Sequence, residues 1–279
     1  MKTINGLINE KKYAEDLINN KYLINERPVS RCIMCYIKYL KNYPDPDTGN
    51  MLYKKQIRQK IDDLMYNYYK GFVMADWDKK IQSWLNKYTK EKYCKLKVPQ
   101  PVNITFKELN KIKVLDNIIE EKVLFMLLFL SKVNRNDLGN DNLWIYEDNK
   151  VVFKLAQYKY IRGIDRDLQR NKLLHLFKDK GYIDTHCSCD SNGKIMKFGE
   201  TKIGEGLNIE ASMDNIDQVV YEYLVWRGEP YKKCSRCDKY FRYNPKVSNP
   251  AKYCRPCAKT VKLEQTNACK RAKEESEKF

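Results

Sequence analysis

Two cysteine pairs, Cys234-Ser235-Arg236-Cys237 and Cys254-Arg255-Pro256-Cys257, constrain this chain more than any other feature. A two-residue gap lets one tight turn aim two thiolates at a single metal ion. The segment between the pairs is long enough for a hairpin that brings the two turns together. Four thiolates at about 2.3 Å complete a tetrahedral Zn²⁺ site, closed to water and therefore structural rather than hydrolytic. Four free thiols or a redox pair fit this paired spacing less well. The segment is poor in aliphatic residues, so the metal would supply stability that a small core cannot, and metal binding would be coupled to folding. One structural Zn²⁺, held by Cys234, Cys237, Cys254 and Cys257, is the expected cofactor.

The same segment is strongly cationic. Lys232, Lys233, Arg236, Lys239, Arg242, Lys246, Lys252, Arg255, Lys259 and Lys262 stand against Asp238 alone, with Tyr240, Phe241, Tyr243 and Tyr253 interleaved. Basic residues on a rigid platform can pair with phosphate, and aromatic rings can stack on bases. Part of the aromatic set is expected to pack the metal segment itself. The bias extends to the whole molecule: 279 residues carry a formal charge of +17. A field of that sign concentrates polyanions at the surface. A 43% hydrophobic content supplies a packed core and excludes wholesale disorder.

No stretch approaches the roughly 20 apolar residues of a membrane span; the longest apolar run, Val123 to Leu130, reads as a buried helix. Met1 to Glu10 lacks the pattern of a secretory signal. The ten cysteines are therefore expected in a reducing, cytoplasmic compartment and are read as metal or core chemistry rather than disulfides.

The length predicts two or three domains. Residues 1–100 read as a helical domain. Ile57, Ile61, Leu64, Met65 and Tyr68 share one helix face, and Trp77, Ile81, Trp84, Leu85 and Tyr88 share another behind an N-cap at Asp76. Pro44 to Gly49 reads as a turn, and Pro99 and Pro101 end the region. Residues 101–215 open on a capping box, Thr105 to Glu108, followed by an apolar helix over 118–133. Leu143 to Tyr146 reads as a strand, and Val151 to Ala156 fits either strand or helix. A helix over 165–180 closes on Gly181. Strands follow at 182–185, 195–198 and 207–210. The order helix, glycine, strand, loop, strand predicts a winged-helix-like domain with Cys187 to Lys194 as its wing tip. Residues 216–279 read as a helix, a four-cysteine zinc ribbon and a charged helical tail. The expected class is a mainly helical α+β protein.

Arg162, Arg166 and Arg170 recur at four-residue spacing, with Gln169 and Lys172 beside them. On a recognition helix this face would meet base edges in a major groove, although the same stripe continues into the core positions Leu173 and Phe177. A solvated face is the alternative. Cys32 and Cys35 sit at helical spacing with Tyr36, Tyr39 and Leu40, so they read as core thiols. His186-Cys187-Ser188-Cys189 crowds three soft ligands into one loop, and His175 reads as a structural histidine between leucines. No nucleophile, metalloprotease or phosphate-loop pattern is present, so no enzyme is expected.

Tyr13-Ala14-Glu15, Trp77 to Ile81, Gly181-Tyr182-Ile183 and above all Cys234 to Phe241 with Lys252 to Ala258 carry a resemblance. The chain resembles uncharacterised phage and mobile-element proteins of low-GC Gram-positive bacteria, which join a helical N-terminal region to a winged-helix-like middle and a C-terminal zinc ribbon. The resemblance implies a zinc-bound, DNA-associated protein. DNA is the expected partner, with RNA as the other polyanion. A second reading is an interaction protein that inhibits a host defence protein or ribonucleoprotein complex.

Overall fold

Apolar residues at three- and four-residue spacing fold the first hundred residues into five helices around their own core. These are α1 (Glu10–Asn19), α2 (Val29–Asn42), α3 (Lys54–Tyr68), α4 (Met74–Tyr88) and the short α5 (Glu91–Cys94). Ile33, Ile37 and Leu40 of α2 meet Ile57, Ile61 and Met65 of α3 and Ile81 and Leu85 of α4. Cys32 and Cys35 are buried in α2, as helical spacing predicts for core thiols, and burial pushes the Cys35 thiol up to about 12. The α4 helix starts earlier than predicted. Val73 is its N-cap, and Asp76 lies in the first turn, where a carboxylate complements the helix dipole.

The computed structural model describes residues 4–139, 141–185, 193–200, 202–247 and 251–276. Helices take 57% of the described residues, which makes it a mainly helical α+β protein. It divides into two compact units, Thr3–Gln100 and Pro101–Phe279.

The second unit begins with β1 (Val102–Thr105), which runs straight into α6 (Phe106–Lys113) through the predicted capping box. The Thr105 hydroxyl accepts from Glu108 N, and the Glu108 carboxylate accepts from Thr105 N. The long α7 (Ile118–Leu138) outruns its predicted end at Val133 and stops at Gly139, whose left-handed φ of 63° suits a C-cap glycine. Its centre is buried all round, from Val123 to Leu130.

Next come β2 (Trp144–Ile145), α8 (Asn149–Leu155), α9 (Arg166–Asp179), β3 (Ile183–Thr185) and β4 (Lys194–Met196). The ambiguous segment at 151–156 is thus helical. The three strands form one antiparallel sheet in the order β2-β4-β3. Gly181 takes a φ of 72° between α9 and β3, the C-terminal role expected of it. Of the anticipated wing tip, Lys194 opens β4, while residues 187–192 and the His186-Cys187-Ser188-Cys189 motif lie outside the described residues.

β5 (Gly206–Ile209) pairs not with this sheet but antiparallel with β1, Ile104 facing Leu207. A Cβ at Gly206 would meet Ile104 O at 2.1 Å, so only glycine permits this approach. α10 (Val219–Arg227) packs on α7: the Tyr223 ring lies 5.0 Å from that of Phe125, and its hydroxyl donates to buried Glu121 at 2.7 Å. The hairpin β6–β7 (Tyr231–Lys233, Tyr240–Arg242) and α11 (Arg255–Ser276) complete the chain.

Candidate metal centre

The first cysteine pair occupies the connection of the β6–β7 hairpin. Lys233 pairs with Tyr240, and the six residues between them turn back tightly. Cys234 N donates to Lys239 O at 3.0 Å, and Asp238 N donates to Cys234 O at 3.0 Å. Asp238 takes a φ of 54°. Asp tolerates this left-handed conformation because its short side chain can satisfy local backbone groups. The lone acid of the segment is thus a turn residue.

The second pair sits at the start of α11, and this corrects the expected ribbon. Among the described residues no second hairpin forms between the pairs. Cys254 precedes α11, and Cys257 lies in its first turn beside Pro256, whose missing N–H is harmless there. Ser235 N and its hydroxyl both donate to Lys252 O at 3.2 Å, and Cys254 N donates to Cys234 Sγ at 3.3 Å. Arg236 grips Glu264 of α11 with two hydrogen bonds, at 2.8 and 2.7 Å. Hairpin and helix are therefore clamped from both sides of the thiols.

The four Sγ atoms lie within 4.8 Å of one another, and those of Cys237 and Cys254 are 3.7 Å apart. A tetrahedron with metal–sulfur bonds of about 2.3 Å requires sulfurs about 3.8 Å apart, whereas a disulfide requires about 2.05 Å. The group therefore fits a tetrahedral metal ion and not a pair of disulfides. Burial pushes the Cys234 thiol up, but N–H donors from Cys254, Arg236 and Cys237 outweigh it and bring the group down to about 6. Hydrogen bonds with the Cys254 and Cys237 sulfurs push Cys257 up to about 12. Four crowded sulfurs cannot all carry charge alone; a bound cation offsets their repulsion.

The hairpin is seated on α10. Tyr221 lies between Tyr231 and Tyr240, with ring centroids at 4.9 and 5.6 Å. Gln218 accepts from Tyr240 N at 3.0 Å. Neither Tyr221 nor Gln218 stands out in the sequence, because the contact exists only after α10 and the hairpin meet.

The predicted cations divide into two kinds. Lys233 pairs with Glu222 at 3.1 Å, Arg236 with Glu264, and Lys232 lies over the Tyr243 ring at 5.1 Å. Lys239, Arg242, Lys246, Lys252 and Arg255 are exposed. Around α9, Arg166 and Lys172 are exposed, but Arg162 precedes the helix and does not share its face. Arg170 is 5% exposed and donates to Tyr160 Oη at 2.9 Å and to the Asp167 carboxylate. Gln169 is buried and bonded to Ile161 and Ile164 backbone, while His175 is exposed rather than structural.

No family model matches the chain, and no curated protein or solved structure matches it. No helix among the described residues is long and apolar enough to cross a membrane. Fold and site define a mainly helical α+β protein with a four-thiol cluster able to hold one metal ion.

Proposed function

We propose that this is a nucleic-acid-binding protein, with duplex DNA as its ligand and one structural Zn²⁺ in the thiol cluster. The observation that carries the reading is the order α7-β2-α8-α9-β3-β4 with strands arranged β2-β4-β3. That order supports a winged-helix domain whose third helix is α9. One exposed side of α9 bears Asn171, Lys172 and His175, and Arg166 is exposed in the first turn, at the start of the stripe that becomes buried from Arg170 on; these side chains are suited to phosphate and base edges. The cationic metal knob supplies further phosphate contacts. A closed tetrathiolate leaves no position for water, so in this reading the metal shapes the knob and performs no hydrolysis. The resemblance at the four-cysteine segment supports a phage or mobile-element role.

Counterion release gives the reading a sharp test. Each neutralised phosphate contributes about −0.9 to the slope of log affinity against log salt. With roughly four to five contacts, affinity for a labelled duplex falls about 10²- to 10³-fold between 50 and 200 mM salt. Fluorescence anisotropy at several salt concentrations measures this. A flat salt dependence sinks the proposal. Nuclease-resistant capture of one stoichiometric host protein, with no affinity for nucleic acid, transfers the assignment to an interaction protein.

A further inference from the structure

The 22-residue α11 spans about 33 Å at 1.5 Å per residue. From Arg255 to Arg271 its side chains are exposed, except that Cys257 and Val261 are half-buried. With so little packing, and with Val261 and the exposed Leu263 as its only large apolar side chains in that stretch, it lacks the apolar stripe that ordinarily holds a helix to a core. Its N-terminal end is fixed by Cys257 and by the Arg236–Glu264 pair.

Its cations, Arg271 apart, are not scattered. At about 100° per residue, Arg255, Lys259, Lys262 and Lys270 fall within an arc of about 80°. Cys257, Val261 and Glu264 lie on the opposite side, toward the metal cluster. Glu264 is the one acid in the sequence from Arg255 to Arg271, and it is neutralised by Arg236 across the cluster. Among the described residues neither Lys259 nor Lys262 forms an ion pair. Cys257 and the Arg236–Glu264 pair thus hold one face of the helix, and a cationic stripe, interrupted at Thr266 between Lys262 and Lys270, occupies the other.

We propose that this stripe is a binding edge for the phosphate backbone of duplex DNA, aimed by the metal cluster. The proposal rests on the nucleic-acid reading and adds a face to it. Charge complementarity selects the occupant: cations repeating along one side of a rigid rod match a regular line of phosphates. The metal keeps the start of the rod at a fixed angle to the hairpin.

The experiment uses the zinc-loaded full chain and a labelled duplex of about one to two turns. Lys259→Gln/Lys262→Gln/Lys270→Gln is compared with the charge-matched Lys54→Gln/Lys55→Gln/Lys79→Gln, whose three lysines are exposed in the other unit. The stripe variant is expected to flatten the salt slope by about 2 to 3, about 0.9 per lost contact. The control keeps the wild-type slope within about half a unit, and all three proteins keep one zinc. If the stripe variant retains the wild-type slope while the wild type binds steeply, the stripe is overturned and the nucleic-acid reading survives. Equal losses in both variants overturn it too, since a general field then suffices. If the wild type binds no nucleic acid, both fail together. Tighter binding to duplex RNA of equal length overturns DNA as the occupant.

Discussion

Lys132 Nζ lies 2.6 Å from Glu108 Oε2, and both side chains are 2% exposed. The pair joins α7 to the capping box of α6. Glu108 also accepts from Thr105 N at 2.8 Å and from Glu200 N at 2.6 Å, while Lys132 donates to Asn103 O at 2.8 Å. Burial pushes the Lys132 ammonium down, with Glu108 acting against it. Removing one partner of such a pair leaves the other charge uncompensated in the core, at a cost of about 3–5 kcal/mol. Lys132→Met is therefore expected to lose stability on that scale in urea unfolding. Lys132→Met/Glu108→Gln should recover part of the loss, because no charge remains and the glutamine oxygen keeps one of the two backbone N–H bonds, to Thr105 N or Glu200 N. A single variant within about 1 kcal/mol of wild type contradicts this account.

The two halves of that cluster differ in how legible they are. The capping box can be read from Thr105 and Glu108, three residues apart, because the physics is local. The Lys132 partner is invisible, since it arrives from a helix 24 residues on. The same division runs through the chain. Helix faces in α3 and α4 and the left-handed glycine after α9 follow from spacing. The pairing of β1 with β5 joins residues about a hundred apart and carries no local signature. Arg170 repeats the lesson at the candidate interface. Its spacing from Arg166 predicts a shared surface, but Tyr160 and Asp167 take its guanidinium inward. The four cysteines are the exception among long-range features, because ligand chemistry announces their meeting in the spacing itself.

Metal removal should unfold the C-terminal cysteine segment and spare the helical unit Thr3–Gln100. Purified wild type is expected to hold one zinc per chain, and Cys254→Ser/Cys257→Ser to hold none. Without the metal, α11 becomes a helix with almost no tertiary support, and such helices are marginal in water. Amide exchange should then rise across β6, β7 and α11, while the core of Thr3–Gln100 stays protected, since its apolar contacts are its own. Equal zinc content in both proteins would exclude these cysteines as the ligands.

Glu147 gives the stability a defined dependence on pH. Burial pushes its carboxyl up, against an Asn134 amide that donates to it at 3.1 Å. In the unfolded chain the group ionises at its ordinary value, about 4.3. Between that pH and the higher native one, the folded state keeps a proton that the unfolded state has lost. The native state then binds more protons, so stability falls as pH rises through the window and levels off above it. Glu147→Gln retains an acceptor for Asn134 and removes the titration. Its midpoint of thermal unfolding is expected to gain on wild type as pH rises from about 4 and to stay ahead at neutral pH. A constant difference between the two proteins from acid to neutral pH would dismiss the half-buried carboxyl as the cause.

Arg166 and Arg170 share one ring but not one role. Both guanidinium groups lie over Tyr160, at 5.4 and 5.6 Å from its centroid. Arg166 is exposed, whereas Arg170 is buried and hydrogen-bonded to Tyr160 and Asp167. Losing hydrogen bonds from a charged group typically costs about 1.5–3 kcal/mol. Arg170→Met is therefore expected to lower stability by about that much while leaving the salt slope of duplex binding intact in the folded protein. Arg166→Gln/Lys172→Gln should do the reverse: stability within about 0.5 kcal/mol of wild type, as for surface substitutions, and a slope flatter by about 1 to 2. Urea unfolding and anisotropy titrations on the same preparations separate the two effects. If the surface variant keeps the full slope, α9 does not face the polyanion, and the winged-helix reading loses its recognition helix.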